Sequence, residues 1–194
     1  GDLKWLRGSG MEAQILKQHA AGTPVFGVCG GYQIMGQSIS DPEGAEGGGS
    51  LRGMGLLPTD TVFRPEKTTV QSSGALGTLG GVLAPLSGMP VTGYEIHMGE
   101  TTRAADAQPL IRLSRAGQPP IEDGCQAGNA YGTYLHGVFD APGVALALAQ
   151  ALAVRKGVML ADTAYDTEQY KEEQYGRLAD TVRQSLDMQL IYRI

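Results

Sequence analysis

This chain lacks most of the features that identify a protein quickly. It has two cysteines, Cys29 and Cys125, too few for a disulfide framework, so the expected setting is a reducing, cytoplasmic one. Paired Cys or His spacing is missing, which argues against a zinc site and leaves no metal expected. No apolar run approaches the length of a membrane-spanning helix, so a membrane is not an expected partner. Basic charge is in deficit: 15 Lys and Arg stand against 20 Asp and Glu, a formal net charge of -5. Without a basic stripe to neutralise phosphates, nucleic acid is not expected either. The P-loop pattern is absent, and with it an obvious nucleotide site. The first residues, Gly1-Asp2-Leu3-Lys4, carry neither a signal peptide nor an initiator Met and read as the start of an excised piece.

What is abundant is glycine, 29 of 194 residues, at no fixed period. Such usage suits tight turns and close backbone approaches. With 42% hydrophobic and 18% charged residues, the chain can bury one sizeable core. Leu3 and Leu6, then Met11, Ile15 and Leu16, recur at helical spacing. Ser9-Gly10-Met11-Glu12 has the form of a capping box, and Gly22 of a stop. Val25 to Val28 suits a short buried strand, and a helical run comes next around Tyr32 to Met35. Ser40 to Ser50 reads as a surface loop. Short strands are expected at 61–63, 68–70, 91–96 and 110–113, with a strand and loop over 131–139. Val144 to Val154 is a further helix, with Asp140 as candidate cap and Gly157 as stop. The last helix should start near Asp166 and place Tyr175, Leu178, Val182 and Leu186 on one face. This order implies an α/β layer fold, a mixed sheet flanked by helices, with no internal domain boundary and no repeat.

Chemistry concentrates in Pro24-Val25-Phe26-Gly27-Val28-Cys29-Gly30-Gly31-Tyr32-Gln33. A strand running through Gly-x-Cys-Gly-Gly into a helix has the form of a nucleophile elbow with Cys in the Ser position. The turn crowds its neighbours, so Gly27, Gly30 and Gly31 are expected to be sterically required. Beside a helix start the Cys29 thiol pKa should fall, and the Gly30 amide should point where an oxyanion forms. A thiolate needs a base. His19 reads as a surface residue. His97, alternating with Glu95 in Tyr94-Glu95-Ile96-His97, could support a pocket. His136, at a strand end before Gly137, is the stronger candidate. Cys125 is expected to pack in the core or at a sheet edge.

These residues resemble a known family. The segment from Val25 to Gln33 is similar to the nucleophile segment of class I glutamine amidotransferases. Asp41-Pro42, Gly44, Glu46-Gly47, Gly53-Met54-Gly55-Leu56-Leu57, Glu66-Lys67-Thr68-Thr69, Gly93 to Gly99 and Gly132 to Phe139 together resemble the C-terminal glutamine amidotransferase domain of the cobyric acid synthases, over nearly the whole chain. The resemblance implies a flavodoxin-like layered α/β domain whose first strand and a glycine-containing oxyanion loop lie upstream of Asp2. It implies one domain over residues 1–194, cut from a chain with an N-terminal synthetase domain that binds ATP and Mg²⁺. No cofactor is implied in this part. Its partners would be glutamine, that synthetase domain and, in the intact enzyme, a corrinoid acceptor. The implied reaction is hydrolysis of glutamine to ammonia for amidating side-chain carboxylates of adenosylcobyrinic a,c-diamide. Cys29 would be the nucleophile, passing through a thioester, and His136 the proton relay. Gly30 would serve the oxyanion, Gln33 would hold glutamine, and His97 would support the pocket. The triad version of this fold has a Glu two residues after the base, where this chain has Val138; Glu95 and Asp140 are candidates to orient the base instead. The alternatives are a relative amidating cobyrinic acid at the a and c positions, a lipid II amidating subunit, or a catalytically silent interaction domain.

Overall fold

The computed structural model describes residues 1–114, 119–160 and 167–193. Two compact units divide the chain, Gly1–Leu160 and Ala161–Ile194, although the sequence pattern shows no break between them. The first unit opens with two helices, α1 (Asp2–Gly8) and α2 (Met11–Ala20). The capping box expected at Ser9 does not form. Gly10, at φ 77°, caps α2, Ser9 Oγ donates back to the Leu6 carbonyl, and Glu12 pairs with Arg7 at 2.8 Å. The arginine on the preceding helix thus captures the carboxylate that a capping box would need.

A short strand, β1 (Val25–Val28), runs into α3 (Gly30–Met35). The expected surface loop at 40–50 is instead bracketed by β2 (Ser38–Asp41) and β3 (Gly49–Arg52). Two long strands come next, β4 (Thr59–Leu76) and β5 (Pro90–Arg103), linked through a 3-10 helix at Gly81–Leu86. The separate strands expected at 61–63 and 68–70 are both parts of β4. Between Phe63↔Gly99 and Thr68↔His97 the register shifts, so residues 64–67 face the single residue Met98. Such a bulge breaks the alternation by which one long strand would be recognised. The remaining strands are β6 (Ile111–Ser114), β7 (Ile121–Asp123), β8 (Cys125–Ala127), β9 (Ala130–Thr133) and β10 (Leu135–His136), before α4 (Val144–Lys156).

The α/β expectation of mixed sheets flanked by helices is met, with two sheets rather than one. The smaller has the order β1-β9-β8, with β1 parallel to β9. The larger runs β10-β5-β4-β2-β3, with β6 and β7 extending from β4. One apolar cluster gathers Leu83, Leu86, Val91, Ile111, Leu113, Tyr131, Leu135 and Val144 under the 3-10 helix and α4. A second gathers Tyr32, Met35, Leu57, Cys125, Ala130 and Tyr134 around α3. Each fully buried Leu or Ile among them contributes about 1.5–3 kcal/mol relative to exposure. The Ala-rich run of α4 favours helix by propensity. Gly143, at φ 82°, is its cap rather than Asp140, which closes the preceding turn by donating its amide to the Gly137 carbonyl. Gly157, at φ 67°, ends α4 as expected.

The second unit contains α5 (Thr167–Ser185) and α6 (Met188–Ile191). The expected start near Asp166 lies outside the described residues. Tyr175, Leu178 and Val182 are spaced to share one face of α5, Leu186 lies just past its end, and all four side chains are exposed. Among the described residues, no helix is long and apolar enough to cross a membrane.

Candidate active site

The elbow begins with pairing. Register Val25↔Ala130 through Val28↔Thr133 locks β1 to β9, and the Cys29 amide extends the ladder by donating to the Thr133 carbonyl at 2.9 Å. The chain then turns sharply into α3. Cys29 sits at φ 53°, ψ -115°, the one non-glycine residue with positive φ among those described. A backbone held there costs on the order of 1–3 kcal/mol, which the flanking strand and helix must offset. Gln33 N donates to the Cys29 carbonyl at 3.0 Å, closing the first helical turn.

The three glycines around the thiol are not equivalent. A Cβ on Gly27 would lie 2.6 Å from Met35 Sδ and 2.7 Å from the Gly31 carbonyl, whereas Gly30 and Gly31 face open space. Only Gly27 is required by packing. Gly30 and Gly31 instead line a cavity of about 610 Å³ together with Cys29, Gln33, His97 and Lys67.

The thiol pKa does not fall as expected. Partial burial pushes the Cys29 thiol up, and the hydrogen bond from the Gly30 amide opposes that shift without reversing it. The helix after the turn has only six residues, so it supplies little dipole. The resting group is a thiol whose Sγ donates to the Ile96 carbonyl at 3.6 Å. Cys125 is fully buried among core residues, as expected, and its thiol is pushed up to about 11 by burial, with Arg103 opposing.

Behind the cavity lies a hydrogen-bonded wall. Gln33 Nε2 donates to Tyr134 Oη at 3.1 Å, Tyr134 Oη lies 2.6 Å from Thr101 Oγ1, and Thr101 Oγ1 lies 2.8 Å from Thr61 Oγ1. Gln33 is therefore an expected site residue that both lines the cavity and braces its wall. The His97 ring stacks on Tyr134 with centroids 3.8 Å apart. Its Nδ1 donates to the Gly99 carbonyl at 2.7 Å, and its buried Nε2 lies 4.0 Å from Glu95 Oε2. Glu95 is buried and accepts from Ser72 Oγ.

The three histidines separate clearly. His97 lines the cavity with Cys29, while His136 is not among its lining residues. His136 lies on β10, paired with Tyr94, three positions after the Thr133 that holds the Cys29 amide. Its Nε2 is buried and has no hydrogen-bond partner among the described residues. Leu135, not His136, is paired opposite Glu95, so strand alternation directs the His136 and Glu95 side chains to opposite faces. His19 is half-buried with a covered Nε2, not the surface residue its helix pattern suggested.

Asp41 belongs to one of the resembling motifs, where it carries no expected role. Its carboxylate accepts from the amides of Ala45, Glu46 and Gly48 at 2.7–2.8 Å and shapes the loop at the cavity rim. Burial works to raise its pKa, but the amides of Gly48, Glu46, Ala45 and Gly44 hold it below the usual carboxylate range. Tyr134, the stacking partner of His97, is a second site residue that the sequence pattern does not single out. The aromatic two residues before a strand-end histidine is the signal that could find it. Among the described residues, no group of three His, Cys, Asp or Glu side chains could hold a metal ion.

Comparison with known proteins gives the family. The family model described as CobB/CobQ-like glutamine amidotransferase domain matches residues 1–144. A cobyric acid synthase of Lachnoclostridium phytofermentans is 45% identical over the whole chain, which covers 40% of that protein. One from Citrobacter koseri is 48% identical, again over the whole chain and 38% of that protein. The chain thus spans about two fifths of the length of these curated relatives. A solved glutamine amidotransferase structure aligns at 14% identity with a TM-score of 0.47, over 80% of this chain and 73% of that one. On the family match and the full-chain identities, the chain belongs to the CobB/CobQ-like glutamine amidotransferase domain family.

Proposed function

We propose that this chain is the glutaminase part of a cobyric acid synthase, hydrolysing glutamine to ammonia and glutamate. The observation that carries the reading is Cys29 at a strained strand-to-helix turn, its thiol opening on a cavity large enough for an amino acid. Cys29 Sγ gives its proton to His136 and attacks the side-chain amide carbon of glutamine. The carbonyl electrons move onto oxygen, and the Gly30 amide, which bonds the Cys29 sulfur in the resting site, shifts its hydrogen bond to that oxygen. The imidazolium returns the proton to nitrogen, the C–N bond breaks, and ammonia leaves a glutamyl thioester. Water, deprotonated by the same imidazole, attacks the thioester and releases glutamate and the thiol.

The raised thiol pKa fits this order. A group that rests protonated needs a base at the moment of attack. The tie between the Cys29 amide and the Thr133 carbonyl anchors the elbow to the segment that carries His136; the Nε2 atoms of His136 and His97 alike have no hydrogen-bond partner among the described residues. His97 has its Nδ1 committed to the Gly99 carbonyl, and we assign it pocket support. We propose the rest from the motif resemblance: ammonia passes to a synthetase domain of the same protein, which uses ATP and Mg²⁺ to amidate a corrinoid acceptor in the cytoplasm. Treatment with the diazo-ketone analogue of glutamine, followed by mass measurement, tests the glutaminase step. One adduct on Cys29, absent in Cys29→Ser, is expected. Labelling at Cys125 instead would sink the assignment. Loss of glutamine hydrolysis in His97→Gln, with near-normal hydrolysis in His136→Gln, would transfer the base role to His97.

A further inference from the structure

The bulge in β4 bears on recognition. Residues 64–67 face Met98 alone, so the extra backbone arches away from the ladder at the cavity rim. Bulges of this kind re-aim side chains beside active sites. The two cations of the arch have different fates. Arg64 is taken by acids, 3.3 Å from Glu43 and 3.6 Å from Glu100. Lys67 lines the cavity holding Cys29 and has no ion pair or hydrogen bond among the described residues.

The remaining charges of the cavity make that lysine decisive. Asp2, Asp41 and Glu46 line it, with His97 and the terminal amine of Gly1, and Lys67 is the one Lys or Arg residue that does so among the described residues. A rim of carboxylates welcomes an ammonium and repels a carboxylate. An amino acid entering as a zwitterion therefore needs a cation for its anionic end. Resting on the glutaminase reading, we propose that Lys67 binds the α-carboxylate of glutamine and so selects a free amino acid over an internal glutamine residue of a peptide. Lys67 is then a specificity residue, at the opposite end of the substrate from the amide that reacts.

The test uses the full chain and two substrates, glutamine and the analogue whose α-carboxylate is replaced by a neutral carboxamide. Wild type should prefer glutamine strongly. Lys67→Met should raise KM for glutamine about ten- to a hundredfold, the range for losing one charge-assisted hydrogen bond, with a smaller effect on kcat. It should also lose most of the preference over the carboxamide, and Lys67→Arg should restore much of it. Alkylation of Cys29 by iodoacetamide, which carries neither charge, should proceed equally in wild type and Lys67→Met. An unchanged KM and preference in Lys67→Met, or an alkylation rate that falls in step with hydrolysis, would overturn the role of the lysine while leaving the glutaminase intact. Failure of wild type to hydrolyse either substrate would overturn the glutaminase reading and this inference with it.

Discussion

Cys29 combines two costs, a left-handed backbone and a partly desolvated sulfur. The second sets a pH dependence. Because burial raises the thiol pKa, the thiolate fraction at neutral pH is smaller than for an exposed cysteine, whose pKa is about 8.5. The rate of iodoacetamide alkylation should climb with pH through a midpoint above that of a free thiol. A midpoint below it would show that the turn amides outweigh burial. Gly27 supplies a second test. Its Cβ would meet Met35 Sδ and the Gly31 backbone at 2.6–2.7 Å, so Gly27→Ala should lower unfolding free energy by about 1–3 kcal/mol. Gly31→Ala faces open space and should change stability by less than about 0.5 kcal/mol, read from urea midpoints. Both residues look alike in the sequence. The Gly-x-Cys-Gly-Gly pattern reveals the elbow, because any tight strand-to-helix turn needs small neighbours. It does not say which glycine touches what, and it does not reveal the direction of the thiol pKa, which depends on burial by residues distant in the chain.

At the scale of elements, β4 and β5 build the cavity wall and the rim loop is held by one carboxylate. The sequence reads β4 as fragments because Arg64-Pro65-Glu66-Lys67 interrupts its alternation. A bulge is a mismatch between two strands and becomes visible only when their register is known. The loop between β2 and β3 was legible as polar and glycine-rich, yet its latch was not, since nothing local says that Asp41 turns inward to meet amides four to seven residues on. Asp41→Ala should therefore speed hydrogen exchange at the amides of Ala45, Glu46 and Gly48 at neutral pH, with the strands less affected. The same release should accompany acidification. The Asp41 carboxyl is depressed in the folded state, so its contribution is complete above the ordinary carboxylate pKa of about 3.9 and is lost as pH falls through the lower, folded value. Exchange at these amides that does not respond to the substitution would mean the loop is held by its own turns.

At the scale of the whole molecule, the described core belongs to one unit. Every member of both apolar clusters lies between Tyr32 and Ala151 or packs there from Ile15 onward, inside the unit that ends at Leu160. The family match likewise ends at residue 144. The second unit presents the stripe Tyr175, Leu178 and Val182 with its side chains exposed, so its helix period was legible but its burial was not. Periodicity shows which residues share a face and is silent on whether anything covers it. A chain ended after Leu160 should then remain folded, unfold in a single cooperative urea transition, and keep its Cys29 alkylation rate within about twofold, since it retains every residue of both described clusters. The comparison is between that chain and residues 1–194 at equal concentration, by circular dichroism and by timed mass measurement. A broad or two-step transition in the shortened chain, or a Cys125 that becomes reactive, would show that residues 1–160 do not fold independently.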